Sequence, residues 1–508
     1  LSNHLNTFPD FQNKYAGHDV IVAFQFWFLR RYREVSIVLI LNILALGIYV
    51  FNISYGSDDY ALLFQKCNLI ASGRWAAHFI YNYLFMNNYM PVLSPLVGMT
   101  VMILAGFELT RLWHIRNFYN RILIMAFFSL YPYTLEMYCF RINVVTVPWA
   151  YFLAVLALNQ KKGWIASILL CISLGIYQAT LGMTVCVWLM TLLFRTTANQ
   201  NQTQKSLFSQ HLKGWAWIIL GIASYLLIMK LTTLWGPVNS RIAAGFFSHD
   251  PLRNLLKYSF IILLRFSFIP EYVIPWIPKT GVFICVILGT GILLIQSRMR
   301  LWFLFVFLIL PYAAICHMLP LANPDVPWRI SFGLIALLAG LLAVILQHKR
   351  FHKIGLVLGS LLIFSFILVD NARMFEQYIQ TKRDIAMANR IACRIESLPE
   401  YQPGMKFIIV GKTGPVPLTW DRTFSAQTIR DFTLYFSKNR FGLGGCFETS
   451  WSKYAIFTNY LQIPLIPENQ DMEKTAQQWI KVKGCQPWPH PSSIFTTKDT
   501  LVLFLGPS

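Results

Sequence analysis

The sequence predicts a polytopic α-helical membrane protein of about 11 transmembrane helices with a C-terminal α/β domain outside the membrane, and three observations carry that reading. Hydrophobic residues make up 56% of the 508-residue chain and charged residues only 13%, with a mean hydropathy of +0.50. An ordinary soluble domain is roughly 25% charged. Apolar segments near the length that crosses ~30 Å of hydrocarbon, about 20 residues, recur along the chain. After Asp370 the composition turns mixed and polar.

The first span is Val35–Ser54, which contains no charge. Similar segments follow it, so it is not a cleaved signal peptide. Apolar runs bounded by charge or turn residues place further spans near 91–112, 118–135, 144–160, 163–178, 180–194, 215–235, 280–297, 301–318, 329–347 and 354–370. The preceding stretch Val20–Leu29, "VIVAFQFWFL", is too short to cross and reads as an interfacial helix on the inner surface. Short basic clusters occupy alternate connections: Arg30, Arg31 and Arg33; Arg111, Arg116 and Arg121; Lys161 and Lys162; Arg298 and Arg300; Lys349, Arg350 and Lys353. The positive-inside rule assigns these to the cytoplasm.

That alternation requires Tyr258–Ile269, with its central Arg265, not to cross. The expected organisation is then a cytoplasmic N-terminus at 1–34, a transmembrane domain at 35–370 and an outer domain at 371–508. The transmembrane domain carries outer loops at 55–90 and 236–279, and the outer domain a helix at 373–397 and a strand at 406–411. The net charge of +21 follows from this topology. A nucleic-acid partner would need one basic face, and the Lys and Arg residues are scattered.

Nine cysteines show neither CxxC nor Cys/His spacing, which leaves a zinc site without support. An outer domain permits a disulfide. Cys446 and Cys485 are the expected pair, with Cys393 left over; three free thiols are the alternative.

With sides assigned, Asp58, Asp59, Glu136 and Asp370 fall at the outer face. In "ISYGSDDYALLFQ" Ser57 and Asp58 suit a helix N-cap, and from there a wheel puts Leu62, Leu63, Cys67, Leu69 and Ile70 on one side, as in an amphipathic surface helix. Adjacent helical residues point about 100° apart, so one aspartate can cap while the other acts, or both can merely cap. Around them gather Arg74 and Trp75 in "GRW", Glu136, Arg141 and Asn143 in "LEMYCFRINVV", Tyr177 and Gln178 in "GIYQATLG", and Arg329 in "NPDVPWRI". Ionisable groups at membrane edges are costly unless solvated, paired or bound to a ligand. A carboxylate can serve as general base on a sugar hydroxyl while arginines hold a phosphate leaving group. Snorkelling is the structural alternative for Arg141 and Arg329, and helix packing for Tyr177 and Gln178.

The outer "SDDYALLFQ" with "GRW", the long first helix, the many further spans and the outer C-terminal domain together resemble the GT-C superfamily of polyprenyl-phosphate-sugar glycosyltransferases. Within it the chain is most similar to the serotype-converting O-antigen glucosyltransferases of the Gtr type. The resemblance covers the whole architecture, with motif-level similarity at 54–75 and more weakly at 131–149 and 171–182. It implies a bacterial inner-membrane enzyme with its active site and C-terminal domain in the periplasm. It further implies undecaprenyl-phosphate-glucose as donor, lipid-linked O-antigen repeats as acceptor, and the acidic pair Asp58 and Asp59 as catalytic. No cofactor and no metal are expected, although some relatives in the superfamily use a divalent ion held by several carboxylates. Trp420, Trp451, Trp479 and Trp488 either stack on sugars or fill the core of the outer domain.

Two rival readings follow from the same residues. A lipid-linked-sugar flippase or transporter would need polar or broken segments near the bilayer midplane. A membrane acyltransferase would need a His-based site, and of the ten histidines only His78, His249 and His317 fall at the outer edge.

Overall fold

The computed structural model describes residues 20–56, 59–63, 69–198, 204–232, 276–296, 309–310, 312–314, 316, 332–412, 446–448, 452–468, 471–497 and 499–506. Among the described residues ten long helices make up the scaffold: α1 (Val20–Phe51), α2 (Leu93–Leu112), α3 (Phe118–Leu130), α4 (Arg141–Leu158), α5 (Gly163–Ile176), α6 (Thr180–Ala198), α7 (Gln204–Thr232), α8 (Trp276–Gln296), α9 (Phe332–Gln347) and α10 (His352–Glu396). Five of them, α1, α2, α4, α7 and α10, hold stretches long and apolar enough to cross a membrane, and five are shorter apolar helices. The expected span 301–318 and the outer loop 236–279 lie largely or wholly outside the described residues.

Local sequence explains where the helices break and how closely they approach. Asn117 caps α3 by accepting the Asn120 N–H. The same helix stops at Leu130 because Tyr131 precedes a proline, and Pro132 then opens the short helix Pro132–Tyr138. Inside α4, Pro148 has no N–H to offer the Val144 carbonyl one turn back. That carbonyl lies against Gly98 of α2, where an added Cβ would come within 2.5 Å of it. A proline in one helix and a glycine in its neighbour therefore let two backbones meet. Between α5 and α6 the chain breaks at Tyr177, whose φ of −153° is extended. Ser173 fastens this break by donating to Ala150 O at 2.8 Å and to Thr180 Oγ1 at 3.0 Å.

Val20–Leu29 is continuous with the first span in one 32-residue helix. The change at 370/371 does not break the chain either: α10 runs for 45 residues, about 68 Å at 1.5 Å per residue, so one rod serves both domains. No Pro or Gly interrupts it from Ser360 to Leu398.

Beyond α10 a four-stranded sheet forms from β1 (Lys406–Val410), β2 (Ile466–Pro467), β3 (Ile494–Thr497) and β4 (Thr500–Phe504), in the order β2-β1-β4-β3. β1 is parallel to β2 and β4, and β3 is antiparallel to β4. Side-chain alternation divides the sheet into two apolar faces. Phe407, Ile409, Leu501 and Leu503 pack on Ala388, Ile391 and Ile395 of α10. Ile408, Val410 and Val502 pack on Ala476 and Ile480 of α11 (Asp471–Lys483). The expected Cys446–Cys485 bridge is not formed: both are free thiols, Cys446 buried on the α10 face and Cys485 against the α11 face.

The carboxylates at the two ends of the bundle differ. At the Lys/Arg-rich end Glu108 is bonded to Arg111 at 2.8 Å and Glu34 to Arg121, so both are spent in ion pairs. At the opposite end stands Asp59.

Candidate functional site

The surface helix expected from Ser57 onward is replaced, among the described residues, by short turns: a helix at Asp59–Leu62, a 3-10 turn at Ile70–Ser72 and a helix at Trp75–Phe79. Gly73, at φ +72°, ends the 3-10 turn in a left-handed conformation that suits glycine. A single amphipathic rod cannot form across it.

Asp59 is fully buried. Its Oδ2 accepts the Gly56 N–H at 2.8 Å while its own N–H donates to Gly56 O at 3.1 Å, the reach-back of a capping box. Oδ1 accepts the backbone N–H of Arg141 at 2.9 Å, the first residue of α4. The carboxylate thus caps two chain segments 82 residues apart and carries a negative charge to the N-terminus of α4.

The Arg141 side chain completes this corner. Although an arginine, it is 0% exposed. Nε donates to Ser54 O, Nη2 to Asn52 O at 2.9 Å and Tyr49 O at 3.3 Å, and Nη1 to the Tyr89 hydroxyl at 2.5 Å. The guanidinium carbon lies 4.4 Å from the Tyr49 ring centroid and 5.1 Å from that of Tyr89. Its donors close the frayed C-terminus of α1, where carbonyls have lost their helical partners. Sequence reasoning offered Arg141 for a phosphate, with snorkelling as the alternative; its donors here lie on carbonyls at the end of α1 and on the Tyr89 hydroxyl of the first loop.

A second corner gathers four of the expected residues. Arg74 is half-buried with its guanidinium 5.0 Å from the Tyr177 ring centroid. Trp75 lies flat on Gly175, where an added Cβ would meet the indole at 2.4 Å. Gln178 Nε2 donates to Ser72 O at 3.0 Å and to the Tyr225 hydroxyl at 3.1 Å. The break between α5 and α6 is therefore the seat of the "GRW" turn.

Asn143 is half-buried in the first turn of α4, and its N–H donates to Phe140 O. Asp58, Arg329, Trp420 and Trp451 lie outside the described residues, as does the side chain of Glu136. Tyr49, Tyr89 and Tyr225 were missed from sequence. Tyr225, an aromatic hydroxyl in the mostly aliphatic "IASYLL", carried a faint signal; Tyr89 in "NNYMPV" carried none.

The C-terminal domain sits over the first corner. Tyr55 N–H donates to Thr381 Oγ1 of α10 at 2.9 Å. The rings of Tyr55, Tyr60 and Tyr460 form a triangle with centroids 5.3 to 5.9 Å apart. Asn459 donates to Tyr60 O at 3.3 Å. Burial pushes the Tyr60 hydroxyl well above its ordinary range, and burial followed by Tyr460 pushes Tyr55 up to about 12. Of the tryptophans proposed to meet sugars, Trp479 packs against the α11 face of the sheet. Trp488 lies under the Arg390 guanidinium at 5.5 Å.

Five helices long and apolar enough to cross a membrane, with five shorter apolar ones among the described residues, mark a membrane protein. The family model described as glucosyl transferase GtrII matches residues 47–337, more than half of the chain, and the chain belongs to that family. It is a glycosyltransferase. No curated protein and no solved structure matches it.

Proposed function

We propose that the protein moves glucose from undecaprenyl-phosphate-glucose to a hydroxyl of a lipid-linked O-antigen repeat at the periplasmic face of the bacterial inner membrane. The observation that carries the assignment of roles is the burial of Asp59 with both oxygens on backbone N–H groups. A carboxylate so engaged is a positioning residue. Its neighbour Asp58 then acts as the general base. The acceptor hydroxyl gives its proton to Asp58, its oxygen bonds to the anomeric carbon, and the bond from that carbon to the phosphate oxygen breaks toward undecaprenyl phosphate. Arg74, on the Tyr177 ring, meets the growing phosphate charge. Both substrates are lipid-tethered, so encounter is confined to the membrane plane and orientation governs the rate. Glu136, Asn143 and Arg329 complete the donor site in this reading, and the C-terminal domain selects the acceptor.

The test is transfer of radiolabelled glucose from the lipid donor to lipid-linked O-antigen by purified protein. Asp58→Asn is expected to bind donor and lose turnover by about 10²–10⁴-fold. Full turnover in Asp58→Asn would remove the base from this scheme, and movement of donor across liposomes without transfer would replace the enzyme by a transporter.

A further inference from the structure

One face of α10 carries polar side chains into the protein: Asp370, Arg373, Gln377, Thr381 and Asp384 recur every three or four residues and all are buried. Four have partners. Arg373 donates to Glu376 Oε2 at 2.8 Å, and Gln377 Nε2 to Cys139 O at 3.0 Å. Thr381 accepts from Tyr55 N, and Asp384 Oδ2 from Cys446 N at 2.7 Å. Asp370 is the exception: it is 1% exposed, and neither carboxylate oxygen has a hydrogen-bond partner among the described residues. The helix Pro132–Tyr138 packs on α10, with Gln377 bonded to Cys139 O just past it, and its last residue, Tyr138, is fully buried with its hydroxyl likewise unpartnered among the described residues.

Buried polar atoms are paired in the great majority of cases, and an exception calls for a bound water, an ion or a functional role. An acidic group inside a membrane bundle makes the same demand more strongly. The nearest cation on α10, Arg373, is bonded to Glu376. The elements packed against this part of α10 bring Tyr49, Tyr131, Tyr138 and Cys285, which are uncharged at neutral pH, and Glu136, whose side chain lies outside the described residues. None of these supplies a positive charge.

We infer that Asp370 and Tyr138 form a binding site for one positive charge, taken up as an alkali-metal ion or as a proton. The chemistry is that of hard oxygens with one carboxylate, which balances a monovalent charge. Divalent ions draw on more ligands, and among the described residues no three His, Cys, Asp or Glu side chains cluster. Occupancy would fasten α10 to the segment 132–139, which leads directly into Arg141 and the first corner of the site. The inference stands independently of the sugar substrate.

The experiment uses the full chain in lipid nanodiscs, with thermal unfolding in sodium chloride against choline chloride at equal ionic strength, and carbodiimide labelling of Asp370 read by mass spectrometry. An alkali-ion site predicts that sodium raises the Tm by about 2–4 °C in the wild type and slows labelling, with both effects lost in Asp370→Asn. A proton site predicts no sodium effect and labelling of Asp370 that increases as pH falls. Tyr138→Phe, which keeps the ring, carries the same comparison if Asp370→Asn fails to fold. Absence of labelling together with a sodium-independent Tm, and an Asp370→Leu variant as stable as wild type, would overturn the inference.

Discussion

Arg141 and Arg74 stand at the same end of the bundle, one sealed between the end of α1 and the start of α4, the other half-buried over Tyr177. The chemistry of the two side chains is identical; their surroundings are not. Arg141 directs its guanidinium at carbonyls of residues 49, 52 and 54 and at the Tyr89 hydroxyl, so an incoming phosphate would have to displace protein acceptors. Arg74 lays its planar fork on the Tyr177 ring, a cation–π contact. Asp59, like Arg141, holds backbone. Burial, not residue type, distinguishes the surroundings of the two arginines.

The comparison breaks first if Arg141 proves dispensable to the fold. Arg141→Ala takes the donor from the buried carbonyl of Ser54 and the half-buried one of Asn52 and is expected to cost about 3–5 kcal/mol. Arg141→Lys should rescue little, because one ammonium cannot reproduce the planar fork. Thermal unfolding of detergent-purified protein measures both, and a Tm within about 1 °C of wild type for the alanine variant would return Arg141 to the ligand side. Next in size is Asp59→Ala, which strands the N–H groups of Gly56 and Arg141 and should cost about 2–3 kcal/mol. Stability and turnover should fall together in that variant, whereas Asp58→Asn should lose turnover alone. Arg74→Gln sharpens the contrast from the other side. Loss of a charge-assisted bond worth about 1.5–3 kcal/mol should raise the KM for the lipid donor about 10–100-fold and lower the Tm less than Arg141→Ala does.

Much of this was legible in the sequence, and the rest was hidden for physical reasons. Apolar runs locate helices because hydropathy acts on every residue of a span, and α2 at Leu93–Leu112 differs from the expected 91–112 only at its start. The continuity of α10 was concealed because composition reports what surrounds a helix, while continuity depends on the absence of Pro and Gly between Ser360 and Leu398. At the site, the unusual residue types near Asp59, Arg74, Trp75, Tyr177 and Gln178 stood out, and the structure brings the last four into one corner. The role of Arg141 did not stand out, since its partners are main-chain carbonyls that no side-chain pattern reveals. Among the described residues the expected surface helix is present only as the turn Asp59–Leu62 and the 3-10 turn Ile70–Ser72, which Gly73 ends in a left-handed conformation. The thiol pairing failed because Cys446 and Cys485 serve opposite faces of one sheet.

A pH titration separates the first corner from its roof. Tyr55 is raised to about 12 in the folded protein, by burial and then by Tyr460, against about 10 in an unfolded chain. A folded value above the unfolded one gives stability that is complete below pH 10 and is lost as pH rises through 10 toward 12. Tyr55→Phe should therefore flatten the alkaline fall of the Tm in that window, and an unchanged slope would detach Tyr55 from the contact between the first loop and the C-terminal domain.

The smallest effect is expected at the second corner, from Tyr225→Phe. The hydroxyl accepts from Gln178 Nε2 at 3.1 Å and reaches Gly73 O at 3.4 Å. Without it, Gln178 keeps its bond to Ser72 O, and Tyr177 keeps its place under Arg74. The Gln178 bond and the long contact to Gly73 O are lost, about 1 kcal/mol together. Donor affinity should fall a few-fold and stability hardly at all. A loss as large as that of Arg74→Gln would show instead that the Gln178–Tyr225 pair sets the pitch of the "GRW" turn, and that the second corner is held as rigidly as the first.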